Sequence, residues 1–360
     1  MLKKIKNALA NPGKVLNKIN SRLTQGLNVD SVLDELVRYS PSGGRRPRVM
    51  LVAPKYDYGD KKRGLSVEEN YFRHTLINSG YDLVSFDSLY GARRFGAKVM
   101  NKMLLESVYR EKPDIVFFIL FRNEIRKDTL LEIRDELGVT TLNWFCDDHW
   151  RFDSFSKDYA PCFSRVITTD IRAVEKYRAI GVSNVILSQW ACNHFLYRKF
   201  DIPYKYDVSF VGQPHGDRVK VISSLKRAGI RVDTFGYGWP GGRVSTYEMN
   251  RIFCQSRINL NLSNASVGTA NQIKGRDFEI PGCGGFMITG ENPAISDYFV
   301  PGKEIVTYKN IPELLERIQY YLAHETEREA IREMGHKRSL REHTYQMRLA
   351  RIFAECERGR

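Results

Sequence analysis

From Arg48 onwards, short and continuously apolar runs alternate with longer stretches of helical period. Arg48–Ala53 (RVMLVA), Tyr81–Phe86, Asp114–Phe121 (DIVFFILF), Thr140–Phe145, Arg165–Thr169 and Asn184–Leu187 read as strands. Val67–Asn78, Ala97–Arg110, Lys127–Leu137 and Ile171–Ile180 read as the helices between them. Strands that are apolar at nearly every position belong in a parallel sheet covered on both faces. Right-handed crossovers then make 46–203 one doubly wound domain.

Phe200–Tyr206 (FDIPYKY) reads as a hinge, after which the alternation restarts. The second set of strands is Asp207–Val211, Arg231–Phe235, Ile258–Leu262, Phe286–Thr289 and Glu304–Thr307. Its helices are Val219–Ala228, Tyr247–Ser256, Pro312–Leu322 and Glu325–Met334. This predicts an α/β protein with two Rossmann-like doubly wound domains, 46–203 and 204–343, facing a cleft at the strand C-termini. A last amphipathic helix occupies 344–360. Residues 1–45 form a separate arm in which Leu2, Ile5, Leu9, Ile19 and Leu23 recur at helical spacing around a Pro12-Gly13 break. A second helix-like stretch follows at Val29–Tyr39. The arm suits a membrane interface or a docking face on its own domain.

The composition narrows the class. With 360 residues, 42% hydrophobic and 27% charged, the chain has material for two cores and is not disordered, collagenous or coiled coil as a whole. The longest apolar run, Ile115–Phe121, is far short of a membrane span. The first residues lack an apolar core followed by a small-residue cleavage site, which makes a poor secretory signal. Six scattered cysteines without a C-x-x-C point to reduced thiols and a cytoplasmic setting, in which the basic arm would meet the inner face of the membrane. The net charge is +14, and residues 1–48 hold ten Lys/Arg against three Asp/Glu. Such an arm suits an anionic surface: membrane, nucleic acid or phosphorylated substrate.

Gly236-Tyr237-Gly238-Trp239-Pro240-Gly241 fits G-x-G-x-x-G, but the loop runs on through Gly242 and Ser256–Asn261 has no acid. NAD binding is therefore rejected. No G-x-x-x-x-G-K-[ST] is present. The richest segment is Lys274–Thr289 (KGRDFEIPGCGGFMIT), a basic loop, a helical turn with Glu279, a glycine stop and a buried strand. Lys274 and Arg276 before a helix start suit a diphosphate, and Glu279 suits vicinal hydroxyls. After the strand Thr140–Phe145, Asp147 and Asp148 are placed to face the cleft and serve an acceptor hydroxyl, with His149 beside them. Trp144 and Trp150 suit either a sugar face or the core. Trp190–His194 reads as a packing corner, and His336 and His343 as solvated helix residues.

Taken together, RDFEIPGCGGFMIT, YFVPGKEIVTYKNIPELLERIQYYLAHETEREAIREMGHKRSLREHTY, DVSFVGQPHGDR, TFGYGW and INLNLS resemble the C-terminal half of the CgeB-type (spore-maturation-protein-like) glycosyltransferases of the GT-B group. NWFCDDHWRF resembles the Trp and paired-Asp segment of their N-terminal half. The resemblance is good over 205–345, thinner over 48–204 and absent before 45. It implies a nucleotide-sugar donor held mainly by the C-terminal domain and an acceptor held mainly by the N-terminal one. It also implies that Glu279 occupies the second position of an E-x7-E motif, on the donor ribose. Asn271 stands where the first Glu is expected, with Gln272 alongside. Gly212, Arg218, Gly236, Lys274 and Arg276 complete the donor site, while Asp147, Asp148 and His149 form the catalytic set.

The resulting expectation is a glycosyltransferase acting from a nucleotide-diphosphate donor onto a hydroxyl acceptor, an envelope glycan or lipid-linked saccharide, with a lean to retention. Asp147-Asp148-His149 is not D-x-D, so no metal and no cofactor beyond the co-substrate are expected. Rival classes are a nucleic-acid-directed protein, which the +14 charge favours, a sugar-nucleotide epimerase of the same shape, and a silent sugar-binding module.

Overall fold

The computed structural model describes residues 28–40, 46–263 and 272–357. The basic arm 1–27 and Asn271, both assigned roles above, lie outside the described residues. The chain divides into two compact units: the described residues up to Ser188 together with the chain from Ile352, and Gln189–Arg351.

The first unit carries a seven-stranded sheet in the order β1-β3-β2-β4-β5-β6-β7. Its strands are β1 (Val37–Ser40), β2 (Arg48–Val52), β3 (Asp82–Phe86), β4 (Ile115–Phe118), β5 (Thr140–Phe145), β6 (Arg165–Thr168) and β7 (Val185–Leu187). All neighbours are parallel except β1 on β3. The continuous apolar runs have the predicted cause. Val49, Met50, Leu51 and Val52 are all buried, as are Ile115 to Phe118, because helices cover both faces. Chain order reverses at β2, with β3 on one side and β4 on the other. Loops after β2 and β4 therefore diverge at the strand C-termini, the ligand-binding place in open α/β sheets.

One predicted element is corrected. The helix expected over Val29–Tyr39 ends at Leu36, and Val37–Ser40 turns into an edge strand paired in register with Phe86–Leu83. Two facts favour the strand. Val37 goes into the core while Arg38 forms a two-pronged ion pair with Glu69 at 2.7 and 2.8 Å, so the alternation matches a strand face.

The second unit has a wholly parallel five-stranded sheet in the order β12-β11-β10-β8-β9. These are β8 (Tyr206–Val211), β9 (Asp233–Phe235), β10 (Ser256–Asn261), β11 (Met287–Gly290) and β12 (Val306–Tyr308). Val208, Phe210, Ile258, Leu260, Phe286 and Ile288 meet Leu225, Leu314 and Ile318 from flanking helices. Here the order reverses at β8, between β9 and β10.

Residues 190–205 strap onto this second unit. The Cys192 N–H donates to the His343 carbonyl at 2.9 Å, and Tyr345 N–H donates back to Cys192 at 3.1 Å. Phe200 N–H meets the Cys254 thiol at 3.4 Å and Lys205 N–H the Gln255 carbonyl at 2.8 Å. The unit boundary accordingly precedes Trp190. The last helix, Tyr345–Glu357, ends within the first unit, where Phe353 packs edge-on against Tyr81 and Phe117. No described helix is long and apolar enough to cross a membrane.

His343 is not solvated as expected but 4% exposed, among Phe278, Tyr298 and Phe299. Its Nε2–H donates to the Tyr298 carbonyl at 2.6 Å and its Nδ1 accepts from Arg348 at 3.1 Å, which fixes one neutral tautomer. His336 is half-buried, its Nδ1 3.0 Å from the Pro281 carbonyl. Burial first, then Arg348 and Arg338, push the His343 imidazolium down to about 4. The unfolded chain then binds the extra proton between about pH 6.5 and 4, so this residue's contribution is full above 6.5 and is lost as pH falls through that interval. It amounts to roughly 3 kcal/mol. Denaturant titrations across pH 4–7 are expected to give a shallower acid loss for His343→Gln than for the unsubstituted protein; identical slopes would refute the assignment.

Candidate functional site

The order reversal at β8 leaves the C-terminal ends of β8 and β10 side by side, and the basic residues converge there. Arg276 donates from Nη1 to the Val211 carbonyl, the end of β8, at 3.0 Å, and from Nε to Asn261 Oδ1, the end of β10, at 3.2 Å. Arg218 opens the helix Arg218–Arg227 and is 1% exposed. It donates twice to the Leu262 carbonyl, at 3.1 and 2.9 Å, and once to Gln213 at 2.9 Å. Both guanidinium groups lie over the ring of Phe210, at 5.5 and 5.7 Å from its centroid.

Two glycines make that approach possible. A Cβ at Gly212 would stand 2.7 Å from Arg276 Nη1, and one at Gly236 would stand 2.3 Å from the Gly212 carbonyl oxygen. Gly236 also has φ +125°, a conformation open to glycine. The G-x-G-x-x-G match thus reports a loop folded on the end of β8.

His215, which pattern reading missed, sits in the middle of the charge. Arg218 Nη1 is 3.0 Å from its Nε2. Because arginine only donates, Nε2 is the acceptor and Nδ1 carries the proton. That Nδ1 is buried with no hydrogen-bond partner. Burial, then Arg218, Lys274 and Arg276, push the imidazolium down to about 4. Burial and Arg276 likewise press the Arg218 guanidinium below its ordinary value. Like charges assembled where water is partly excluded favour an anion that relieves them.

Lys274 and Arg276 are fixed from below by Asp277, another residue without a sequence signal of its own. Its buried carboxylate accepts from Lys274 N–H at 2.8 Å, Asn261 at 2.7 Å and Thr289 at 2.9 Å, tying the basic loop to β10 and β11. Burial raises its pKa, and those three bonds oppose the rise. Glu279 is three residues beyond Arg276 in the helix Arg276–Gly282 and is 2% exposed, its charge felt by the Cys192 and Cys283 thiols. Gln272 is half-buried and joined to Ser263 through its backbone N–H at 3.0 Å.

In the first unit, the segment after β5 divides its acids. Asp148 does not face a ligand as expected: it is 1% exposed and accepts from the Tyr177 hydroxyl at 2.9 Å. Burial pushes its carboxyl up to about 6 against the pull of the Ser156, Thr168 and Tyr177 hydroxyls. Its place is inside the domain because the helix starting at Asp148 turns that side chain back onto the core. Asp147 and His149 stay half-buried. Trp144 is wholly buried, a core residue, whereas Trp150 is 45% exposed.

The acid near Asp147 is Glu68, which the sequence reading passed over. Burial first, then Asp57 and Asp147, push Glu68 up to about 7. It sits at the helix start after β2, where Ser66 Oγ accepts from Glu69 N–H at 3.1 Å. The Ser-x-x-Glu pattern there runs from Ser66 to Glu69, so it marks the helix start but singles out Glu69 and not Glu68. Among the described residues no group of three or more His, Cys, Asp or Glu is placed to hold a metal ion.

Residues 218–354 match the family model described as "Glycosyl transferase-like". No curated protein sequence matches the chain. Among solved structures, sucrose-phosphate synthase (tll1590) from Thermosynechococcus elongatus superposes with TM-score 0.62 at 11% identity, covering 88% of this chain and all (100%) of its own. Anabaena Alr3699/HepE in complex with UDP and glucose gives 0.59 at 9% identity over 86% of this chain and 100% of its own. A glycosyltransferase from Rickettsia africae ESF-5 gives 0.57 at 10% over 87% and 99%. The fold is therefore GT-B: two Rossmann-like parallel-sheet domains.

Two outcomes test this geometry. Arg276→Ala is expected to move the His215 NMR titration midpoint upward from about 4, towards its ordinary value; an unmoved midpoint would separate the two residues. Gly236→Ala is expected to lower the thermal midpoint, since its methyl group meets backbone at Gly212 and has no soft neighbour to displace.

Proposed function

We propose that the protein is a glycosyltransferase that moves a sugar from a nucleotide-diphosphate donor to a hydroxyl acceptor. The observation that carries this reading is the convergence of Arg218, Lys274 and Arg276 on His215 at the ends of β8 and β10. In the transfer the bond from the anomeric carbon to the diphosphate oxygen breaks, and negative charge grows on the leaving group. Preorganised guanidinium groups and the Nδ1–H of His215 stabilise that charge without reorganising at the moment of reaction. The cationic role is thereby filled by side chains, which is why we propose a metal-independent enzyme. Glu279 is proposed to hold the ribose hydroxyls, with Gln272 and Asn271 near the sugar.

Support for the donor class comes from the "Glycosyl transferase-like" match over 218–354 and from the UDP-bound Anabaena structure of the same fold. We propose UDP as the nucleotide to try first. For the acceptor side we propose Glu68, with Asp147 beside it, as the group that takes the acceptor hydroxyl's proton. A carboxylate titrating near neutrality is matched to that task. The acceptor is proposed to be an envelope glycan or lipid-linked saccharide, reached by a cytoplasmic protein whose arm, with Lys3, Lys4, Lys6, Lys14 and Lys18, rests on the inner membrane face.

UDP at a hundred times its dissociation constant is expected to stabilise the protein by about 2.7 kcal/mol in a thermal-shift assay. Lys274→Ala and Arg276→Ala should each weaken UDP roughly ten- to a hundredfold, the worth of a charge-assisted hydrogen bond. A panel of nucleotide diphosphates and their sugars that produces no shift would remove the reading. Glu68→Gln should keep UDP affinity and lower turnover by roughly 10²–10⁴-fold. Turnover of the unsubstituted enzyme should rise with pH through about 7, as Glu68 loses its proton, and the variant should lose that limb.

A further inference from the structure

The first unit holds a cavity of about 440 Å³ at the C-terminal ends of β2 and β3. Its volume falls in the roughly 300–1,000 Å³ range of small-molecule sites. Its walls combine Lys55, Tyr56, Lys61, Asp87, Tyr90 and Arg94, with Arg38 and Glu35 at one side.

The charges in it are not equivalent. Arg38 is committed to Glu69 at 2.7 Å, and Arg94 lies 3.9 Å from Glu35. Lys55 and Lys61 have no carboxylate within 4.0 Å among the described residues. Each instead rests on an aromatic face: Lys55 Nζ is 5.1 Å from the Tyr56 centroid, and Lys61 Nζ is 4.6 Å from that of Tyr90 and 5.9 Å from that of Tyr56. These are two ammonium groups with only a π-face for a partner, and both can swing to an anion. The same two rings offer flat apolar platforms of the kind that sugar C–H faces stack on. Asp87, 3% exposed, accepts from Tyr90 N–H at 3.2 Å and keeps lone pairs for hydroxyls. A bare anion would meet the Asp87 carboxylate; a neutral sugar would leave both lysines unanswered.

We propose that this cavity binds an anionic sugar, a pyranose bearing a phosphate or a carboxylate, with its ring on Tyr56 or Tyr90 and its anionic group on Lys55 and Lys61. As the acceptor's recognition element this rests on the sugar-transfer reading above. The chain connects the cavity to Glu68 directly. Ser66 N–H donates to the Lys55 carbonyl at 2.9 Å and Ser66 Oγ–H to Pro54 at 2.6 Å, so the Lys55–Tyr56 wall and the start of the Glu68 helix are one hydrogen-bonded loop. An acceptor gripped by its anion at the lysines is held by the same loop that presents the base.

Isothermal titration of the full chain with glucose 6-phosphate, glucuronate, glucose and inorganic phosphate tests the proposal, with UDP titrated in parallel. At least one anionic sugar should bind tenfold or more tighter than glucose and than inorganic phosphate. The preferred sugar tells a phosphate from a carboxylate. Lys55→Ala/Lys61→Ala should weaken that sugar at least tenfold with UDP affinity unchanged, and Lys61→Arg should retain it. Lys61 is exposed, so Lys61→Ala alone decides if the double variant melts early. Anionic sugars no tighter than glucose, phosphate as tight as the sugars, or full affinity in the lysine variants would each overturn it. If an anionic sugar binds here and no nucleotide diphosphate binds anywhere, the transfer reading falls and this site stands.

Discussion

Two arginines sharing one phenylalanine face, at the point where strand order reverses, set the terms for the second unit. At the ends of β8 and β10, Arg218 donates to the Leu262 and Gln213 carbonyls, and Arg276 donates to the Val211 carbonyl and to Asn261 Oδ1. Carbonyl dipoles orient a cation without cancelling it, so the positive potential stays available. The consequence is visible on His215, whose imidazolium is pushed down by burial first and then by Arg218, Lys274 and Arg276. The buried carboxylate of Asp277 accepts from the backbone of Lys274 and from Asn261 and Thr289, where it braces the loop.

The first unit arranges its charges by the opposite principle. Near Asp147 the acids accumulate, and burial with mutual repulsion moves Glu68 into the range where a proton can be taken up and released. The paired-Asp segment divides, with Asp147 half-buried and Asp148 enclosed. Asp148 is drawn into the core by Tyr177, which shows how adjacent residues on a strand-to-helix turn receive different environments. Lys55 and Lys61 rest on tyrosine rings, with no carboxylate within 4.0 Å among the described residues. One unit thus concentrates positive charge on a carbonyl frame. The other mixes acids, lysines and aromatic rings.

The sequence by itself determined the two sheets and nearly all their strands, because burial on both faces demands unbroken apolar runs that no other element explains. Lys274 and Arg276 stood out in the sequence by their place before a helix start, and Gly236 by its glycine-rich loop, whereas Gly212 and Arg218 entered through the family resemblance. What it left undecided depends on neighbours distant in the chain. Val37–Ser40 became a strand because β3 offered an open edge. His343 was enclosed by Phe278, Tyr298 and Phe299, and Asp148 by Tyr177, contacts that no spacing rule encodes. His215 and Glu68 drew their chemistry from burial first and then from charged neighbours. Apolar periodicity is a property of the segment that carries it, whereas the state of an ionisable group is a property of its surroundings, and those exist only once the chain has folded.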